Sequence, residues 1–277
     1  MCGSEELIHD ARQADLMEVI QRANEPQEGQ TIAVWFSCGA ASAVAAKRTV
    51  ERYGSRCQVR VVNSPVVEED PDNRRFLRDV QEWIGVEIEQ AINPRYPECS
   101  ARAVWEKRRF MASPYGAPCT QELKKMARQR WEAEHHPDWH VLGFTADERK
   151  RHDRFVLTER ANMLPVLIEA NLTKADCFGV LHRAGINRPA VYRRGYPNAN
   201  CVGCVKATSP TYWNLVRKAD PEVFVDRAEQ SRRIGCRLVE YRGERIFLDE
   251  LPADAKGRPL KSYSYECGLF CEEREMA

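Results

Sequence analysis

Short apolar segments alternate with longer amphipathic segments along the first two thirds of the chain. Residues 31–36 form a nearly uninterrupted apolar run of strand length, and residues 40–53 carry an alanine-rich helical pattern that stops at Gly54. We predict further strands at 58–62, 86–92, 139–143 and 163–168, and further helices at 72–84, 101–110 and 121–133. Strands that alternate with helices of about 10–15 residues indicate βαβ units and a parallel sheet.

This alternation predicts an α/β protein with a Rossmann-like parallel sheet of about five strands and helices on both faces. We place this domain at residues 31–170, after an N-terminal helical extension at residues 1–30. Residues 171–277 mix helical and short strand patterns, so we expect a C-terminal α+β subdomain that bears several cysteines. Its predicted helices lie near 174–184, 209–218 and 221–234, and its predicted strands at 237–241 and 245–248.

The composition is that of a soluble globular protein, with 30% charged and 43% hydrophobic residues among 277. The net charge of +1 gives no global case for a nucleic-acid partner, although local basic patches are compatible with one. No apolar run approaches the ~20 residues that a membrane span needs, so we expect no membrane partner. The acidic N-terminus lacks a secretory signal, and eleven cysteines without such a signal favour a reducing, cytoplasmic location.

The cysteines are the strongest chemical signal in the chain. Cys201 and Cys204 are separated by two residues, so both sulfurs can face one centre. Cys119 lies about eighty residues upstream, and Cys267 and Cys271 lie near the end of the sequence. These thiols could hold an iron–sulfur cluster, bind structural Zn²⁺, act in a redox reaction, or be unligated core and surface residues.

A second candidate site follows the first predicted strand directly. In an open α/β sheet, ligands bind beyond the C-terminal ends of the strands, and small residues let backbone N–H groups approach an anion at the helix N-terminus. The alternative is a tight strand-to-helix turn of small residues, because the segment has one glycine and lacks the ending of a Walker loop. The residues of this segment are Ser37, Cys38, Gly39, Ala40, Ala41 and Ser42.

Charged residues follow the fourth predicted strand at the same edge of the sheet. Asp147 and Glu148 are placed to contact a ligand or Mg²⁺, and Arg149 is placed to contact a nucleotide phosphate. The alternative is a solvated helix face on which acidic and basic side chains balance each other.

Several segments, taken in order, resemble one family. The Ser-x-Gly-x-x-Ser segment at the first strand–helix junction resembles the PP-loop of the adenine-nucleotide α-hydrolase superfamily, and specifically its phosphoadenosine phosphosulfate (PAPS) reductase branch. The resemblance covers roughly residues 31–206 and the C-terminal tail. Its further matches are a cysteine before a basic helix at 118–125, a Gly-x-x-Ala-Asp-Glu segment at 142–154, residues 164–176, a Tyr-x-x-Gly…Cys-x-x-Cys block at 187–206, and Glu-Cys-Gly-Leu at 266–269.

This resemblance implies an enzyme that binds an adenine nucleotide and performs sulfur or redox chemistry. The nucleotide would be ATP, adenosine phosphosulfate (APS) or PAPS, bound by residues 37–42 with Gly143, Asp147, Glu148 and Arg149. Cys119, Cys201 and Cys204 would hold a [4Fe–4S] cluster or Zn²⁺, with Cys267 or Cys271 as the fourth ligand. The resemblance also implies Cys267 as a nucleophile that attacks the sulfur of a phosphosulfate, and a thiol electron donor as a partner.

Departures from the family pattern limit how far its function transfers to this chain, and two other functions stay open. Cys38 replaces a glycine of the loop, Ala41 replaces its aspartate, and Phe270 stands where the tail has histidine. One alternative is an ATP-dependent sulfurtransferase that adenylates nucleic acid, as in tRNA thiolation or DNA phosphorothioation; Ala41 and the neutral net charge count against it. The other is a non-catalytic, metal-stabilised nucleotide-binding module.

Overall fold

The computed structural model of the protein describes residues 25–260. Most of the predicted N-terminal helical extension therefore lies outside the described residues, as do Cys267 and Cys271. Within residues 25–260, no helix has the length and apolar character required to cross a membrane.

A parallel sheet of four strands forms the centre of the N-terminal half and confirms the α/β prediction. The order across the sheet is β3-β2-β1-β4, so β1 is central and pairs with β2 on one side and β4 on the other. Val34 of β1 lies opposite Val61 and Val141, which sets the register of the three neighbouring strands. The strands are β1 (Thr31–Trp35), β2 (Gln58–Asn63), β3 (Ile88–Gln90) and β4 (Trp139–Val141).

The predicted fifth strand at 163–168 is wrong. Met163 makes a single parallel bridge to His140 of β4, and the chain then turns into a short helix, Val166–Glu169. Pro165 ends the pairing because it has no backbone N–H to donate to a neighbouring strand. The described part of the sheet therefore has four strands rather than about five.

Helices connect the strands and continue through the C-terminal half. The first runs over 40–53 as predicted, and its partner at 73–84 ends at Gly85, whose φ of 72° is the left-handed conformation of a helix C-terminus. The α-helices are α1 (Ala40–Tyr53), α2 (Asn73–Ile84), α3 (Ala101–Arg108), α4 (Ala127–His135), α5 (Arg149–Thr158), α6 (Val166–Glu169), α7 (Lys174–Arg183), α8 (Ala190–Arg193), α9 (Pro210–Ala219) and α10 (Pro221–Ile234).

Alternate residues of β1 point to opposite faces of the sheet, and both faces are covered. Ile32 and Val34 pack in a cluster with residues of α1, α2 and α7. Ala33 and Trp35 pack with Ala127 and Trp131 of α4 on the other side. Successive side chains of a strand point to opposite faces of the sheet. Because both faces are covered here, every position of β1 is apolar or small.

The predicted helix at 121–133 is divided into two parts. Residues Thr120–Met126 form a π-helix that begins directly after Cys119 and continues into α4. Its turns are closed by i→i+5 hydrogen bonds, a rare geometry that occurs most often at functional sites. Glu122 and Lys124 of the π-helix are both buried.

The described C-terminal half is built from α9, α10 and an antiparallel pair of short strands, β5 (Val239–Tyr241) and β6 (Glu244–Ile246). Its apolar core also contains Trp105 of α3 and Leu123 of the π-helix. The middle of the chain therefore contributes to this core as well as to the sheet.

Candidate functional site

The loop after β1 is held in shape by its own hydroxyl groups. The Oγ atom of Ser42 accepts a hydrogen bond from the backbone N–H of Ser37 at 3.1 Å and donates to the carbonyl of Gly39 at 3.0 Å. Gly39 is the N-cap of α1, so the N-cap residue has no side chain with which to cap the helix. The first turn of α1 also has no acidic residue, so the positive end of the helix dipole is not neutralised by its own side chains.

Cys38 occupies the left-handed region of backbone conformation, with φ of 55°. Glycine adopts this conformation without strain, which fits the resemblance at a position where the related loops have glycine. The Cys38 side chain is buried, and its Sγ atom lies 3.7 Å from the amide nitrogen of Asn63. Burial, and then the charge of Glu69, raise the pKa of this thiol far above its ordinary value. Cys38 is therefore a protonated structural thiol.

Gly143 brings the end of β4 against the first turn of α1. A Cβ atom at this position would lie 2.8 Å from the backbone nitrogen of Ser42 and 3.1 Å from the carbonyl carbon of Ala41. Such distances are too short for a real side chain, so glycine is required here for the close approach. The two segments that we predicted to bind a nucleotide, 37–42 and the one beginning at Gly143, are thus in direct contact.

These two loops flank the point at which the strand order reverses. The chain moves outward from β1 through β2 to β3, and then returns to the opposite side of β1 for β4. In open α/β sheets, the crevice at such a switch point, outside the C-terminal ends of the strands, is where ligands bind.

The charged residues after β4 have mainly local partners. Glu148 accepts hydrogen bonds from the N–H and hydroxyl of Thr145 at 3.2 Å each, which caps the short turn Ala146–Glu148. Arg151 donates to the other oxygen of Glu148 at 2.7 Å. Asp147 is exposed, and Arg149, also exposed, reaches the carbonyl of Ile168 at 3.5 Å.

A buried charged network lies beneath the loop, at the ends of β1 and β2. The Nζ atom of Lys124 donates to the carbonyl of Ser64 at 2.5 Å and to Glu69 at 2.9 Å. Asn63, the last residue of β2, donates its amide to the carbonyl of Phe36 at 2.8 Å. The network joins the π-helix to the C-terminal edge of the sheet.

The acidic residues that follow β2 connect this edge to the cysteine-bearing segment. The Glu68 carbonyl accepts a hydrogen bond from the N–H of Val202 at 3.0 Å, and its carboxylate caps α3 by accepting from Ser100 and Ala101 at 2.8 Å each. The buried Asp70 carboxylate forms an ion pair with Arg194.

Cys204 is buried in the core of the C-terminal half, and Cys119 and Cys201 pack against the same core. Gly203 between the paired cysteines has φ of 69°, which allows the tight turn, and the N–H of Cys204 donates to the Tyr212 hydroxyl at 2.8 Å. Within residues 25–260, no group of three or more His, Cys, Asp or Glu side chains is placed to hold a metal ion. The candidate fourth ligands and nucleophile, Cys267 and Cys271, lie outside this range.

A buried cation lies near the paired cysteines. The guanidinium group of Arg227 stacks on the ring of Trp105 at 4.5 Å. Burial lowers the pKa of Arg227, and the negative charges of Asp226 and Glu68 act in the opposite direction. A Cβ atom at Gly203 would lie 3.7 Å from the Nε atom of Arg227, so this cation lies against the turn that carries the paired cysteines.

Tyr192 connects the two candidate sites. Burial raises its pKa to about 12, although hydrogen bonds from the backbone N–H groups of Ala40 and Ala199 act in the opposite direction. Ala40 is the first residue of α1, and Ala199 lies two residues before Cys201. Lys174, at the start of α7, holds the same segment by donating to the carbonyl of Pro197 at 2.7 Å.

Sequence reasoning missed the residues that join these parts. Glu69, Lys124 and Tyr192 were not among the predicted site residues. The three consecutive acids at 68–70, in the loop that follows β2, were the available signal for Glu69. Tyr192 lies in the block at 187–206 that resembles the family, so the sequence could indicate the residue. It could not indicate that Tyr192 lies against the first turn of α1.

The described structure is a parallel α/β protein in which the loops after β1 and β4 meet at the switch point of the sheet. No protein-family model matches the chain, and no curated protein matches it.

Proposed function

We propose that the chain is an enzyme that binds an adenine nucleotide in the crevice between the loops after β1 and β4 and performs sulfur or redox chemistry there, as the PAPS reductase family does. The observation that supports this proposal best is the contact of Gly143 with Ser42 at the switch point of the sheet. It brings together the two segments that resemble the family's nucleotide-binding loops.

In this proposal the loop residues bind and orient the nucleotide. The hydroxyls of Ser37 and Ser42, whose oxygens lie 3.2 Å apart, join the start of the loop to the first turn of α1. Backbone N–H groups in that first turn would bind a phosphate oxygen. Ala41 has no carboxylate to offer a metal ion, so phosphate binding would depend on backbone groups and on nearby basic side chains.

The thiols supply the second half of the proposal. Cys119, Cys201 and Cys204 border one core, and thiolates are ligands of [4Fe–4S] clusters and of Zn²⁺. The three residues come from two separate segments, and Cys267 or Cys271 would complete the set. When bound, an iron–sulfur cluster would supply electron-transfer or electrostatic chemistry beside the nucleotide.

Nucleotide binding is tested first, by calorimetric titration with ATP, AMP, APS and PAPS. We expect at least one of them to bind, and we expect Ser42→Ala to weaken binding about tenfold because the loop loses two hydrogen bonds. Ser55→Ala, at an exposed serine, is the matched control and should bind as the wild type does. Failure of all four nucleotides to bind would contradict the proposal.

The chemistry is tested on protein prepared without oxygen. Iron, zinc and acid-labile sulfide are measured in the wild type and in a variant with Cys119, Cys201 and Cys204 all replaced by serine. Sulfite release from APS or PAPS with a thiol reductant, which we expect Cys267→Ser to abolish, would support the reductase chemistry. Pyrophosphate release from ATP that requires nucleic acid would instead favour the sulfurtransferase alternative.

A further inference from the structure

A cleft of about 510 Å³ opens in the C-terminal half of the described chain. None of its lining residues belongs to the nucleotide-binding loops proposed above. Four segments meet at the cleft: residues 109–114 after α3, residues 205–208 after the paired cysteines, residues 234–238 between α10 and β5, and Arg245 on β6.

The cleft is lined by four basic residues and by no acidic residue: Arg109, Lys206, Arg237 and Arg245. Within residues 25–260, the three arginines form no ion pair. The neighbouring arginines differ, since Arg232 pairs with Asp249 at 2.9 Å and Arg233 pairs with Glu106. Arginines that form ion pairs around the cleft, while Arg109, Arg237 and Arg245 in its lining form none within residues 25–260, indicate an anionic ligand.

An exposed aromatic ring lies beside these cations. Phe110 lines the cleft and is 41% exposed, although large apolar side chains are usually covered. A ligand that carried only phosphate would gain nothing from this ring. A base stacked on an aromatic side chain, with the backbone phosphates on basic residues, is how proteins bind single-stranded nucleic acid.

We propose that this cleft binds a short stretch of single-stranded nucleic acid, with phosphates on Arg109, Arg237 and Arg245 and a base on Phe110. Val205 and Lys206 line the cleft and directly follow Cys204, so the bound strand would pass close to the paired cysteines. The net charge of +1 is compatible with this binding because the basic residues are local to the cleft. The inference goes beyond the proposed adenine-nucleotide site and does not depend on it.

The test measures binding of fluorescein-labelled oligonucleotides of twelve thymidines or twelve uridines by fluorescence anisotropy, over a range of salt concentrations. The cleft variant is Arg237→Gln with Arg245→Gln. We expect it to bind at least about tenfold more weakly, and the slope of log K against log salt to fall by about 1.4, or about 0.7 for each phosphate that is no longer neutralised. The matched control is Arg74→Gln with Arg78→Gln, which removes two exposed arginines of α2 and should change binding less than about twofold.

Phe110→Ala tests the stacking interaction separately. Because this variant loses the ring on which one base would stack, we expect about fivefold weaker binding. The slope of log K against log salt should not change, since no charge is removed. Leu157→Ala removes an apolar side chain that is 85% exposed on α5 and is the control for a general decrease in apolar surface. Arg109→Gln, on another segment of the cleft, replaces the double variant if that variant fails to fold by circular dichroism.

Three results would overturn the proposal. The first is failure of the wild type to bind either oligonucleotide at 50 mM salt, and the second is equal weakening of binding in the cleft and α2 variants. The third is displacement of the oligonucleotide by micromolar pyrophosphate, which would identify a small-anion site instead. Titration of the cleft variants with adenine nucleotides separates the two proposals, because we expect that binding to be unchanged in them and reduced only in Ser42→Ala.

Discussion

The ammonium group of Lys124 lies 2.9 Å from a carboxylate oxygen of Glu69, and the side chains are only 7% and 11% exposed. A buried charge that loses its partner is far more costly than an exposed one. We therefore expect Lys124→Met to lower the free energy of unfolding by about 3–5 kcal/mol, measured by urea denaturation.

Two further variants qualify this prediction. Glu69→Gln combined with Lys124→Met should cost less than the sum of the single changes, because neither buried charge then remains. The exposed pair Arg130–Glu134, with side chains 57% and 54% exposed, is the control, and Arg130→Met should cost less than about 1 kcal/mol. Equal costs for Lys124→Met and Arg130→Met would show that the buried pair has no special role.

Substitution of Gly143 should have a more local effect on stability. Gly143→Ala forces the end of β4 away from the first turn of α1, since the new Cβ would meet backbone atoms of Ser42 and Ala41. We expect about 1–3 kcal/mol lower stability in urea denaturation, together with weaker nucleotide binding. Gly179→Ala is the control, because its Cβ would meet only the flexible end of Arg183 and alanine is favoured within a helix. A fully stable Gly143→Ala protein would argue against the close approach.

The buried imidazole of His140 should make the stability of the protein depend on pH. Its Nδ1 atom accepts a hydrogen bond from the indole N–H of Trp35 at 3.1 Å, and burial, followed by the charges of Arg160 and Arg128, lowers its pKa from 6.5 to about 3. The unfolded chain therefore binds a proton at a higher pH than the folded one, so stability must fall as the pH decreases from 6.5 toward 3. The contribution of this one residue approaches about 1.4 kcal/mol per pH unit.

Denaturation curves between pH 7.5 and 4 test this dependence. Below pH 6.5, the free energy of unfolding should fall more steeply with decreasing pH in the wild type than in His140→Gln. Above pH 6.5, the two curves should run parallel, separated by a constant amount. His182→Gln, at an exposed histidine of α7, should follow the wild type. Parallel curves for wild type and His140→Gln would show that the imidazole is not held neutral by burial.

Thiol labelling distinguishes structural cysteines from accessible ones. Burial raises the pKa of Cys177 to about 11, with the charge of Asp176 as a further cause, and that of Cys38 still further. At pH 8, a thiol with a pKa of 11 is ionised in about one molecule in a thousand. We expect iodoacetamide to modify both residues only after unfolding in guanidinium, as followed by mass spectrometry. The partly exposed Cys236 is the reference, and equally fast labelling of Cys38 would indicate that the loop opens.

Local patterns were sufficient to predict elements with clear boundaries. The helix predicted at 40–53 has these bounds in the structure because small residues precede it and Gly54 follows it, and Pro221 and Gly235 delimit α10 in the same way. The strand predicted at 163–168 failed because an apolar run does not distinguish a strand from a buried helical turn. Pro165 in that run was the available sign that pairing would end there.

The candidate site was harder to predict because its geometry depends on contacts between distant segments. Residues 120–126 carry no local sign of i→i+5 bonding, so the π-helix was predicted as part of an ordinary helix. The partner of Lys124 lies 55 positions earlier in the chain, and no local pattern relates the two. Sequence placed the loop at 37–42 after β1, and the resemblance to the family singled out Gly143; the structure brings the two into contact, and their binding of a nucleotide stays a prediction.

The Tyr192 hydroxyl lies against the N-terminus of α1, 3.6 Å from where a Cβ atom of Gly39 would be, and this placement has a consequence for regulation. A ligand that moves the first turn of α1 also changes the energy of the segment that leads to Cys201, and oxidation or metal loading at the thiols would act back on the same turn. By thermodynamic linkage, the two effects on binding must be equal in size. Under the proposed function, the redox state of the cysteines would then change the affinity for the nucleotide, and nucleotide occupancy would change the affinity of the thiols for metal.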